Sequence, residues 1–140
     1  MIFACVESEH LTNFSKNDTF VHCEYMGGLG NQLFIIWTAI AYSLDNNITL
    51  SLDIKDKSPG ITDRNTYFNN LLINLKDTKN KTLINENINI HQEYDAHTYK
   101  NIPRKTKIII KGYFQSYKYF DHRKNDIIKL LNIDKQQNII

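Results

Sequence analysis

The chemistry this chain could perform is concentrated in one short stretch, Met26-Gly27-Gly28-Leu29-Gly30-Asn31-Gln32-Leu33-Phe34. Glycines let a backbone approach a ligand closely, adopt positive φ and present N–H groups to an anion, and a helix starting just after them adds partial positive charge. Asn31 and Gln32 contribute amides that both donate and accept, which suits sugar hydroxyls or phosphate oxygens. A tight turn with Asn31 as a helix cap explains the same residues without a ligand, and spacing alone leaves both readings open. As a dinucleotide fingerprint the stretch is one glycine short: Gly28 and Gly30 supply the first pair, Leu33 stands where the third belongs, and Asp53 is the acidic residue that would meet a ribose. The phosphate-loop ending G-K-S/T is absent.

Other constellations carry less. His91 and His97 flank Glu93 and Asp95, but their spacing shares no helical or strand face, so they read as polar loop residues and no metal site is expected. Ser43 and Ser116 lack the glycine elbow of a nucleophile. Cys23 reads as a core residue. The run Asp121-His122-Arg123-Lys124-Asn125-Asp126 reads as a solvated helix face.

Elements that would position the glycine stretch surround it. Val21 to Met26 is β-branched and aromatic enough for a strand, stopped by Gly27-Gly28. Apolar residues at spacings of three and four predict a helix from Asn31 to Leu44, buried on most of its circumference. Ile48 to Ile54 alternates as a second strand, completing a βαβ unit and implying a parallel sheet. Lys55 to Asn65 reads as a loop, Thr66 to Leu75 as a short helix and Thr82 to His91 as an ambiguous strand. Lys107-Ile108-Ile109-Ile110-Lys111 has the form of a buried strand, and Tyr117 to Asn132 that of a helix capped by Ser116. The fold expected is α/β, a single Rossmann-like domain over residues 21–140 behind a loose arm at 1–20.

Two of these segments also carry a resemblance. Gly27-Gly28-Leu29-Gly30-Asn31-Gln32-Leu33-Phe34 resembles the opening motif of the α-1,2-fucosyltransferase family (glycosyltransferase family 11). Lys111-Gly112-Tyr113-Phe114-Gln115-Ser116, continuing Tyr117-Lys118-Tyr119-Phe120, resembles that family's second landmark. The two stand in the family's order, so the resemblance runs from Val21 to about Leu131. It implies a transferase of the GT-B kind, with paired Rossmann-like domains, moving L-fucose from GDP-fucose to a galactoside hydroxyl with inversion and without an obligatory metal or other cofactor. A donor or substrate-binding role carries over to Gly28, Gly30, Asn31 and Gln32, and from the second landmark to Gln115 and Ser116; Tyr113 and Phe114 read better as packing residues, and no catalytic residue is assigned. The family's H-x-R-x-G-D motif, whose arginine pairs with the departing diphosphate, does not occur in the sequence. The chain therefore reads as the N-terminal half of such an enzyme, a fragment or a product that ends early, with little activity alone and a second domain or chain as a possible partner. A non-catalytic nucleotide-sugar-binding or partner-docking domain and a nucleotide-binding oxidoreductase module are the alternatives.

Composition bounds all of these. At 140 residues the chain holds one full core but not two independent domains. Its 41% hydrophobic and 23% charged residues exclude disordered and collagenous classes. No apolar run nears the roughly 18 residues of a membrane span, and the apolar start at Met1 lacks a signal peptide's basic flank. A net charge of +2 without a basic stripe argues against nucleic acid as a partner. Two cysteines make no disulfide framework, which points to a reducing, cytoplasmic setting.

Overall fold

Strand β1, Phe20–Cys23, is buried at all four positions and has a parallel neighbour on each side. On one side lies β2, Thr49–Ser51, with Val21 opposite Leu50; on the other lies β6, Lys107–Lys111, with Val21 opposite Ile108. Beyond β6 comes β5, Asn89–Gln92, also parallel, giving the sheet order β2-β1-β6-β5. Strands enclosed in this way read as continuous apolar runs, which is why Lys107–Lys111 was legible. The computed structural model describes residues 18–62, 64–83 and 85–133.

Helix α1, Leu29–Asn46, links β1 to β2 and packs on both. Its buried Ile35, Ile36, Ala39 and Ile40 join Val21, Leu50, Ile108 and Ile110 in the core. Gly28 is its N-cap, so Asn31 lies inside the first turn instead of capping it, and Asn47 closes the other end in the left-handed region that asparagine tolerates. The crossover before β6 runs beside α1, where Tyr42 Oη donates to the Pro103 carbonyl at 2.6 Å and accepts from the Lys105 N–H at 2.8 Å. Helix α2, Lys124–Leu131, packs on α1 and on a 3-10 turn at Ile73–Leu75, burying Ile127, Leu130 and Leu131. The result is α/β with a four-stranded parallel sheet, consistent with a Rossmann-like fold. Among the described residues no helix is long and apolar enough to cross a membrane.

Several boundaries differ from the sequence reading. Lys55 to Asn65 is not a plain loop, because β3, Lys57–Ser58, and β4, Arg64–Asn65, pair antiparallel within it. The helix expected over Thr66 to Leu75 shrinks to the Ile73–Leu75 turn: Asn70 Oδ1 accepts from the Leu71 N–H at 2.6 Å, the side-chain competition that makes asparagine a poor helix interior. Its apolar spacing still places Phe68, Leu72 and Leu75 in the core. The strand expected over Thr82 to His91 is confined to β5, since Thr82 and Asn85 are engaged by Asn80, Asp18 and the Lys81 carbonyl and Asn87 adopts positive φ. The single helix expected from Tyr117 becomes two 3-10 turns, Tyr117–Tyr119 and Asp121–Arg123, ahead of α2. The break is at Phe120, whose ring packs on Phe34 and Trp37.

Most of the expected N-terminal arm lies outside the described residues, but its last three belong to the fold. Phe20 is fully buried in β1, and Asp18 accepts from Lys81 Nζ at 2.9 Å and from Asn85. Burial works to raise the Asp18 carboxyl, yet these hydrogen bonds outweigh it and hold the group below the usual carboxylate range.

Candidate site between the exits of strands β1 and β6

Ligands of open α/β sheets bind outside the carboxyl ends of the strands. β1 and β6 are neighbours, so their exits place the two sequence motifs side by side. Gln115 Nε2 donates to Asn31 Oδ1 at 2.6 Å, joining residues 84 positions apart.

The first motif leaves β1 through buried Tyr25, whose hydroxyl donates to the Asp53 carbonyl at 2.5 Å and accepts from the Lys55 N–H at 3.2 Å. Burial pushes that hydroxyl's pKa up to about 12, so it stays a donor at any physiological pH. Gly27 follows at φ 78°, and a Cβ there would stand 2.6 Å from Asn31 Nδ2; both facts require glycine. Gly27 N–H donates to the Pro59 carbonyl at 2.8 Å. Gln32 is fully buried, and its Nε2 donates to the carbonyls of Gly27 at 3.0 Å and Asn65 at 2.9 Å. The β3–β4 hairpin thus fastens the glycine turn from both sides. A Cβ on Gly30 would meet nothing within 4 Å, so this glycine borders open space and packing does not demand it.

The second motif leaves β6 under strain. Gly112 has φ 144°, and a Cβ there would stand 2.6 Å from Glu93 Cβ. Phe114 is at φ 49°, in the left-handed region a bulky residue avoids, yet it is fully buried. Glu93 over-determines this path: its Oε1 accepts from the N–H groups of Tyr113 at 3.0 Å and Phe114 at 2.8 Å. Gln115 N–H then donates to the Ala96 carbonyl at 2.8 Å, and Ser116 caps the following turn by accepting from Lys118 N–H at 3.3 Å. A cavity of about 580 Å³ opens beside Gln115 and Ser116, with Phe34, Thr98, Tyr99 and Tyr117 in its wall.

The predicted residues therefore fall into distinct roles. Asn31 and Gln115 meet at the crevice; Gly28 and Gly30 line the turn; Ser116 and Gln115 face the cavity; Gln32 is turned inward and braces the turn. Of the two residues read as packing, Phe114 is buried, whereas Tyr113 is 40% exposed because the turn at Gly112 swings it outward. Asp53 gives its carbonyl to Tyr25, and its carboxylate lies 3.6 Å from Lys55 Nζ. The His122-Arg123 pair binds Asp45 at 2.7 and 2.8 Å, in the last turn of α1. At 1.5 Å per residue that is about 21 Å along the helix from Asn31. Among the described residues no group of three or more His, Cys, Asp or Glu is placed to hold a metal ion.

Two residues were missed. Glu93 reaches the second motif only because β5 lies beside β6, a register no local pattern encodes. Arg64, taken as part of a loop, puts a guanidinium nitrogen 3.2 Å from where a Gly28 Cβ would stand, so a cation lies over the glycine turn. No family model, curated protein or solved structure matches this chain.

Proposed function

We propose that the chain is a fucosyltransferase-like glycosyltransferase domain of the GT-B kind that binds a nucleotide sugar, with GDP-fucose as the donor and a galactoside as the acceptor, acting with a second domain or chain that completes the cleft. The observation that carries this reading is the Asn31–Gln115 hydrogen bond: the two segments that resemble the family's landmarks form one crevice at the strand exits. The start of α1 and Arg64 supply positive potential for a diphosphate, while the amides suit hydroxyls.

A dinucleotide oxidoreductase is less well supported, because Leu33 replaces the glycine that permits close helix packing and the Asp53 carboxylate has Lys55 as a neighbour. Calorimetric titration of the chain with GDP-fucose, GDP and NAD tests the choice. GDP-fucose and GDP are expected to bind, and Asn31→Ala to weaken them while leaving the circular dichroism spectrum unchanged. Binding of NAD in preference to GDP, or of neither, rejects the proposal.

A further inference from the structure

We infer that the cavity beside Gln115 is a subsite for a neutral pyranoside, with Tyr117 and Tyr99 as the stacking surfaces that select it. The inference rests on the transferase reading and identifies where the acceptor sugar would sit. A pyranose presents two kinds of surface: a ring face of C–H groups that are weakly positive, and a rim of hydroxyls. The first needs an aromatic face, whose π-cloud is negative; the second needs side chains that donate and accept at once. Both line this cavity. Phe34, Tyr99 and Tyr117 are aromatic, Thr98, Gln115 and Ser116 are neutral and polar, and the volume of about 580 Å³ lies in the range of small-molecule sites.

The charge balance favours a sugar over a nucleotide here. Among the described residues Lys118 is the one lysine or arginine of the lining, His97 is its other basic side chain and no carboxylate lines it, whereas the guanidinium of Arg64 and the start of α1, which suit a diphosphate, lie at the glycine turn. Two of the three rings, Tyr99 and Phe34, are also held in place before any ligand arrives. Tyr99 packs on Tyr119 with ring centroids 4.8 Å apart, Tyr119 on Phe114 at 5.2 Å, and Phe34 on Phe120 at 5.8 Å. Tyr117 is nevertheless 61% exposed and Tyr99 41%, which leaves large apolar rings in water at the mouth of a cavity. Gln115 joins this cavity to the crevice, since the same amide that lines it donates to Asn31. A sugar stacked at Tyr117 would therefore lie beside the donor, as an acceptor must.

Saturation-transfer NMR titrations of the full chain with methyl β-D-galactopyranoside and lactose test the inference. Both saccharides are expected to receive saturation. Tyr117→Ala should weaken lactose by about tenfold or more, equivalent to about 1.4 kcal/mol, whereas Tyr117→Phe, which keeps the ring, should stay near wild type. Thr98→Trp, which fills the cavity, should abolish saccharide binding while GDP binding persists, and it decides the matter if Tyr117→Ala fails to fold. Lack of saccharide binding, or binding indifferent to both Tyr117→Ala and Thr98→Trp, overturns the subsite even if GDP-fucose binds. Saccharide binding that depends on Tyr117 in a chain that binds no GDP-fucose sustains the subsite and overturns the transferase reading instead.

Discussion

Asn31 and Gln115 are the residues whose identities matter most, and what makes them matter is each other. A single side-chain hydrogen bond in partly buried surroundings contributes about 0.5–1.5 kcal/mol net. Asn31→Ala and Gln115→Ala should each destabilise the chain by that order in urea unfolding, and the double variant should lose no more than the larger single change plus a few tenths. Fully additive losses would mean that the bond holds nothing together. Both residues were legible as members of motifs, because glycines and amides ahead of an apolar helix form a recognisable local signal. Their contact was not legible, because it depends on β6 pairing with β1. Gln32 shows the limit of the residue-level reading: the type that suits a sugar hydroxyl equally suits two backbone carbonyls, and only the hairpin decides which it meets.

At the scale of elements, the segment from Gly112 to Ser116 is the strained one. A positive φ at Gly112, a left-handed Phe114 and a carboxylate accepting two consecutive N–H groups together aim Gln115 at Asn31. Gly112→Ala forces a Cβ against Glu93 in a backbone region that side chains avoid. It should cost about 1–3 kcal/mol of stability, measured by denaturant melts, and weaken the proposed nucleotide-sugar binding through Gln115. A neutral substitution would show that the turn relaxes freely. Long apolar periodicities predicted elements well, as α1 and β6 illustrate. Failures came where asparagine side chains compete with backbone pairing, as at Asn70 and Asn80, or where an aromatic ring is drawn into a neighbouring cluster, as at Phe120. A local window sees propensity but not the partner that overrides it.

The whole molecule has a pH dependence built into its central strand. His22 is 5% exposed in β1, with Nδ1 2.8 Å from Ser51 Oγ on β2; Ser51 in turn accepts from the Lys81 N–H at 2.8 Å, which leaves its own proton for the neutral imidazole. Burial lowers the pKa of His22, partly offset by Glu24 and Asp53, and burial lowers that of His91 as well. The unfolded chain then takes up protons near pH 6.5 while the folded chain resists them. Stability should therefore be level above about pH 7 and fall as pH drops through 6.5 toward the lower folded values. The thermal midpoint between pH 7.5 and 5.5 measures this, and His22→Gln should flatten the slope, leaving the part due to His91. A slope unchanged in that variant would place the effect elsewhere. The sequence by itself determined the α/β class, the central βαβ unit and the two motifs, because backbone propensity and apolar spacing are local properties. Tertiary structure decided that the motifs share one crevice, that Gln32 turns inward, and that Glu93 and Arg64 border the candidate site. Those relations are set by strand order and register, and the free energy that fixes them comes from burying β1 between its neighbours.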